Sequence, residues 1–162
     1  MTLPVHRLKV ALVEPEIPQN TGNIARLCAA TGAALHLVRP LGFFLNDKSF
    51  RRAGMDYVQN VAMTVHDDLA ALMEVIGDQP IWLTTGLELT PPAQSLWRVK
   101  ISAGDWLFFG KETAGLPAEL LQRFVNRTVQ IPMQPGTRGL NVSTAAGIVL
   151  YEALRQVTSC PG

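Results

Sequence analysis

Short apolar segments alternate with amphipathic helical patterns along almost the whole chain. Strand-like apolar segments occupy residues 7–13, 35–38, 81–85, 106–109 and 129–131, with a further possible strand over 58–65. Helical spacing of apolar side chains follows over 20–31, 67–76, 117–124 and 143–157, and residues 47–52 have the pattern of a short capped helix. Such alternation favours parallel strands joined by right-handed crossovers. It predicts an α/β fold with an open, mainly parallel sheet and helices on both faces.

Turn and capping residues set the expected limits of the helices. Asn20 or Thr21 is expected to cap the first helix, and Gly32 to end it. Gly77 is expected to end the helix over 67–76, and Pro117 occupies a tolerated first-turn position in the next helix.

Length and composition exclude several classes of protein. The 162 residues are 48% hydrophobic and 17% charged, which fits one folded domain over 1–162 and argues against disorder. No apolar run reaches the roughly 20 residues of a membrane helix, and the N-terminus lacks a secretory pattern, so we expect a cytoplasmic protein. Cys28 and Cys160 lack the spacing of a disulfide framework or zinc site, and no metal-ligand cluster is evident.

Two loops rich in glycine and proline follow neighbouring apolar segments near the end of the chain. The first spans 110–117 and the second 132–143. Such loops present backbone groups to a small molecule in α/β proteins. The dinucleotide glycine fingerprint is absent after the first strand, and Lys111 does not have the glycine spacing of a phosphate loop. The pattern thus predicts a small-molecule site without identifying the ligand.

A polar helix entrance adds a possible anion site. Asn23 and Arg26 are three residues apart, so they share a helix face. The Arg26 guanidinium is expected to seek an anion such as Glu112 or a ligand phosphate, and an ordinary surface arginine is the alternative. The net charge of +1 counts against nucleic-acid binding, although basic residues cluster over 48–52. Composition alone leaves a solvated mixed-charge surface as the alternative.

Four ordered segments, 14–28, 51–57, 109–117 and 131–153, resemble the SPOUT class of RNA methyltransferases. Within that class they are most similar to the minimal tRNA 2'-O-methyltransferases that modify a wobble cytidine or uridine. The resemblance implies a deep C-terminal trefoil knot that binds S-adenosylmethionine and releases S-adenosylhomocysteine, with no metal. It also implies a homodimer that acts on the anticodon stem-loop of tRNA, with no membrane partner.

The resemblance also assigns roles to individual residues. Leu83, Ile131 and Leu140 are expected to sandwich the adenine. The implied cofactor residues are Leu83, Thr84, Thr85, Gly110, Glu112, Gly115, Ile131, Met133, Gly139, Leu140 and Ser143. The glycines at 110 and 115 are expected to let backbone groups reach the adenosine. The expected RNA contacts are Asn20, Asn23, Lys48, Arg51, Arg52 and Arg138.

Arg26 matches the catalytic arginine of the class. Because a guanidinium stays protonated in proteins, Arg26 is expected to hold the target phosphate and orient the hydroxyl rather than act as a base. Asn141 and Ser143 are expected to assist, and Tyr151 is a further candidate for the catalytic site.

Two positions depart from the class pattern. Gly139 stands where close relatives often carry serine, which puts a hydroxyl contact to the cofactor in doubt. Lys111 replaces a small residue or proline, and a lysine there could contact RNA.

Other functions and another use of the helices remain open. The chain could methylate another tRNA site or ribosomal RNA, serve as a non-catalytic knotted RNA-binding factor, or bind a nucleotide. The apolar stripes over 20–31 and 143–157 suit a symmetric dimer interface, or they are core faces.

Overall fold

The computed structural model describes residues 2–58 and 60–159, and the side chains of 54–58 are outside this description. The strands are β1 (Lys9–Val13), β2 (Ala34–Val38), β3 (Met63–His66), β4 (Ile81–Thr84), β5 (Gln94–Ser95), β6 (Trp106–Phe109) and β7 (Thr128–Gln130). The helices are α1 (Pro18–Thr31), α2 (Lys48–Val58), α3 (Leu69–Ile76), α4 (Ala118–Arg123) and α5 (Val142–Ser159), with a 3-10 turn at Val125–Arg127.

All seven described strands form one parallel sheet in the order β3-β2-β1-β6-β4-β7-β5. The predicted parallel α/β architecture is confirmed. Because the strands are parallel, the loops that follow them all emerge at one edge of the sheet. The central strand β6 pairs with β1 on one side and β4 on the other, so the loop after Phe109 lies at the middle of that edge.

Helices cover both faces of the sheet and bury two apolar cores. On one face, α1 and α5 contribute side chains such as Ile24, Cys28 and Val149 to the larger core, while Leu72 of α3 and Leu120 of α4 fill the core on the other. The apolar stripes of α1 and α5 are therefore core faces of the same chain. Burial raises the pKa of the Cys28 thiol to about 12, as expected for a structural cysteine, whereas Cys160 lies outside the described residues.

Several element boundaries differ from the sequence prediction. Helix α1 begins at Pro18 with Ile17 at the cap position, so the capping role predicted for Asn20 or Thr21 is wrong. Gly32, at φ 80°, ends α1 as predicted. Helix α2 continues to Val58, and β3 begins only at Met63.

Strand β5 was not predicted, because its two residues are polar and carry no apolar pattern. Within the described ranges, no helix is long and apolar enough to span a membrane.

Candidate cofactor and RNA site

A cavity of about 490 Å³ opens at the edge of the sheet where the strands end. Its wall comes from the loops that follow β4, β6 and β7 and from the beginnings of α1 and α5. The lining residues are Ile17, Asn20, Thr84, Thr85, Gly86, Leu87, Phe109, Gly110, Lys111, Glu112, Thr113, Ala114, Gly115, Ile131, Met133, Gly139, Leu140, Asn141, Val142 and Ala145. The two loops rich in glycine and proline thus contribute to one cavity.

Glu112 ties the loop after β6 to the start of α1. Its carboxylate accepts hydrogen bonds from the amides of Glu16 at 2.8 Å and Ile17 at 3.0 Å, and from the Asn20 Nδ2 at 3.3 Å. Thr113 adds a hydroxyl bond of 2.6 Å to the Glu16 carboxylate. Since α1 has no side-chain cap of its own, Glu112 supplies the negative charge at its amino end.

A chain of amides continues from Glu112 to the second loop. Asn141 donates its Nδ2 hydrogen to the Asn20 Oδ1 at 3.0 Å. The Asn141 Oδ1 in turn accepts from the Ser143 amide at 2.8 Å and from the Ser143 hydroxyl at 2.6 Å. Each side chain is oriented by the next. The network thus fixes the relative positions of the loop after β1, the loop after β6 and the loop before α5.

The cavity wall combines apolar surface with a few polar groups. Ile131, Met133 and Leu140 supply apolar surface, and the latter two are 37% and 42% exposed. The Thr84 Oγ1 is buried and has no hydrogen-bond partner among the described residues. The Thr85 Oγ1 accepts from the Leu87 amide at 3.1 Å and shapes the turn beside it. Such a wall suits a ligand that is part aromatic and part polar.

Gly110 and Gly115 line the cavity, and each is also required by the conformation of the loop itself. A Cβ on Gly110 would collide with the backbone of Gly115 and Leu116, so this glycine is required by the loop's own packing. Gly115 has a φ of 69°, which glycine adopts without the strain of a side chain. Gly139 is unlike both, since its φ is not left-handed and a Cβ there would meet nothing within 4 Å.

Most of the predicted cofactor residues line the cavity, but Leu83 and Ser143 do not. Leu83 is fully buried in the core beneath α3 and α4, so its side chain cannot sandwich an adenine. Ser143 instead donates hydrogen bonds to Asn141, which does line the cavity.

Among the predicted catalytic residues Asn141 lines the cavity, and among the predicted RNA contacts Asn20 and Lys111 do. Asn23 and Arg26 are exposed on α1, Tyr151 is 53% exposed on α5, and Arg138 is exposed in the second loop. Lys48, Arg51 and Arg52 are exposed on α2.

Helix α2 packs closely on α1, where a Cβ on Gly22 would collide with the Ala53 side chain. Gly22 and Arg26 are four residues apart and share a helix face. The basic residues of α2 therefore lie on the helix that packs beside Arg26.

Several wall residues were not predicted as site residues. Ile17 and Ala145 line the cavity from the starts of α1 and α5, and Gly86 and Leu87 from the loop after β4. The short turn signal at Gly86 could have indicated the latter pair. Ile17 and Ala145 carry no sequence signal, because apolar residues at the start of a helix more often belong to the hydrophobic core than to a binding site.

The chain matches the SpoU rRNA Methylase family over residues 7–151. It belongs to this family. A tRNA (cytidine(34)-2'-O)-methyltransferase from Burkholderia ambifaria is 47% identical over 148 residues, which cover 91% of this chain and 94% of the relative.

Solved structures of SpoU-type proteins share the fold. One, described as "Structural insights into the 2-OH methylation of C/U34 on tRNA", has a TM-score of 0.90 at 42% identity and covers 97% of this chain and 100% of that chain. The SpoU methyltransferase AviRb from Streptomyces viridochromogenes, in complex with the cofactor AdoMet, has a TM-score of 0.79 at 25% identity and covers 95% of this chain and 59% of that chain. The resemblance to RNA methyltransferases is confirmed at the level of the family.

Proposed function

We propose that this SpoU-family chain transfers a methyl group from S-adenosylmethionine to the 2'-hydroxyl of a wobble cytidine or uridine in tRNA. The cavity at the carboxyl ends of β4, β6 and β7 carries the proposal, because its wall has the chemistry of an adenosine site. Relatives named for this reaction align with nearly the whole chain and support the choice of substrate. The substrate also supports a cytoplasmic location.

The residues of the wall fit S-adenosylmethionine. Ile131, Leu140 and Met133 offer apolar surface to an adenine, and the unpartnered Thr84 hydroxyl offers a polar contact. An AdoMet-bound SpoU neighbour supports the same cofactor. When bound, this cofactor supplies an electrophilic sulfonium methyl group.

The polar network positions groups rather than removing a proton. Asn20 and Asn141 use their side-chain oxygens to accept hydrogen bonds within the network, so an amide carbonyl there is already engaged. The Ser143 hydroxyl donates to Asn141, which leaves its oxygen able to accept a hydrogen bond. We assign catalysis mainly to orientation of the ribose, with Arg26 holding the target phosphate as a permanent cation.

We propose that a second copy of the chain supplies Arg26 to each cofactor cavity. Arg26 does not line the cavity of its own chain, whereas Asn20, six residues earlier on α1, does. Helix α5 leaves Ile148 and Tyr151 39% and 53% exposed three residues apart, and this apolar pair supports a symmetric contact. Tyr151 then belongs to the interface rather than to the reacting groups.

We also propose that the chain, as one domain, is knotted through these loops. The close approach of Gly110 to the backbone of Gly115 and Leu116, and the convergence of three loops on one cavity, support this arrangement.

The proposed activity is tested with labelled S-adenosylmethionine and unmodified tRNA transcripts, followed by mapping of the modified nucleotide. Incorporation at the wobble ribose is the expected result. Methylation at another tRNA position or in ribosomal RNA would replace the proposed substrate, and binding of tRNA without methyl transfer would indicate the non-catalytic factor.

Mixing two inactive variants tests the shared site. Arg26→Ala is expected to bind the cofactor and transfer no methyl group, while Ala145→Trp fills the cavity and prevents cofactor binding. If the site is shared, refolding the two variants together restores about a quarter of the wild-type activity, from mixed dimers with one intact site. Activity no greater than that of each variant alone would place Arg26 and the cavity in the same chain.

A further inference from the structure

Lys111 is a cation on the cavity wall that the proposed mechanism does not use. It lies in the loop after β6 and is partly buried there. Among the described residues Lys111 forms no ion pair, unlike Arg155, which pairs with Glu152 on α5. The Lys111 ammonium is therefore available to an anion that enters the cavity mouth.

The neighbouring carboxylate does not neutralise Lys111. Both Glu112 oxygens accept hydrogen bonds from the start of α1. Lys111 and Gly115 form a bridge that closes the turn beginning at Glu112. The Glu112 side chain is held at the start of α1 by these hydrogen bonds, while Lys111 lines the cavity.

The net charges of S-adenosylmethionine and RNA indicate which of the two Lys111 binds. S-adenosylmethionine carries a sulfonium and an ammonium against one carboxylate, so its net charge is positive and a lysine beside it is repelled overall. RNA carries one negative phosphate for each nucleotide, and lysine is a common phosphate-binding residue. Phosphate contacts fix the position of a nucleic acid without reading its sequence.

We propose that Lys111 binds an RNA phosphate next to the target ribose and so positions the RNA at the mouth of the cofactor cavity. This inference rests on the proposed function. It makes Lys111 a positioning residue, whose loss affects RNA binding more than cofactor binding.

Lys111→Gln and Lys111→Arg test the proposal, with Lys100→Gln as the matched control. Lys100 is also a lysine, but it is exposed in the segment before β6 and lies outside the cavity wall. The measurements are the tRNA KM and kcat for methyl transfer, the cofactor Kd by calorimetry, and the salt dependence of tRNA binding by fluorescence anisotropy.

The expected result is a change confined to RNA. Lys111→Gln should raise the tRNA KM about 5- to 10-fold, to a similar extent for cytidine and uridine transcripts, and should reduce the log–log salt slope by about 0.7 to 1. The cofactor Kd should stay within about 2-fold, which also shows that the variant is folded, and Lys111→Arg should restore the KM. Lys100→Gln should behave like the wild type.

Two results would overturn the assignment. A weaker cofactor Kd with an unchanged salt slope would mean that Lys111 binds the cofactor's carboxylate. An unchanged cofactor Kd together with an unchanged salt slope would mean that Lys111 has no part in binding. Absence of methyl transfer by the wild-type protein would instead reject the proposed function, and the two failures are therefore distinguishable.

Discussion

At the scale of single residues, the glycines of the cavity wall differ in what they tolerate. Gly139 has room for a side chain and no left-handed φ, whereas Gly110 is in contact with backbone. We predict that Gly139→Ser leaves the free energy of unfolding within about 0.5 kcal/mol of the wild type. A hydroxyl on the cavity wall can add one hydrogen bond to the cofactor, so its Kd should tighten by up to about 5-fold, measured by calorimetry.

Gly110→Ser is the matched control for this substitution. Its Cβ would meet the backbone of Gly115 and Leu116, which cannot move as a side-chain tip can, so the protein should lose both stability and cofactor binding. Weaker cofactor binding by Gly139→Ser in a stably folded protein would contradict the prediction at 139.

At the scale of secondary-structure elements, Glu112 acts as the cap of a helix that lies far away in sequence. The Glu112 carboxylate accepts hydrogen bonds from N–H groups of Glu16, Ile17 and Asn20. In Glu112→Gln one of the two acceptor oxygens becomes an NH₂ donor, so the amide can accept only some of these hydrogen bonds. We predict a loss of roughly 1–3 kcal/mol in the free energy of unfolding, measured by urea denaturation without cofactor. Glu74→Gln, exposed on α3, should change it by less than about 0.5 kcal/mol. Equal losses in both variants would show that Glu112 has no special role at α1.

The same elements show how far the sequence could predict this fold. Strand Trp106–Phe109 was predicted to the residue, because four consecutive apolar side chains are buried on both faces. Strand Gln94–Ser95 was missed because polar residues at the sheet edge leave no pattern. The two glycine loops identified the site, but the bonds of Glu112 to residues more than ninety positions away depend on tertiary packing that no local pattern encodes.

At the scale of the whole molecule, a histidine pair makes stability depend on pH. The His36 Nδ1 on β2 lies 2.9 Å from the His66 Nε2 on β3, and the His36 ring also contacts the ring of Trp106 on β6. Burial, followed by the charges of His66 and Lys9, lowers the pKa of His36 from 6.5 to about 4. Burial also lowers the pKa of His66, against a weaker opposing effect of Asp67.

Between pH 4 and pH 6.5, His36 binds a proton in the unfolded chain but not in the folded protein. The free energy of unfolding therefore falls as the pH decreases from about 6.5 toward 4. We predict that the free energy of unfolding decreases by roughly 1 kcal/mol between pH 7.5 and pH 5 on account of His36, because partial exposure of the ring to solvent weakens the full effect of its pKa shift. His36→Gln, which cannot titrate, should flatten this dependence in urea denaturation series at the two pH values. His66→Gln provides a second test, because removing the partner charge also weakens the effect. A pH dependence of wild-type size in both variants would mean that other groups control acid stability, since each substitution removes one member of the pair.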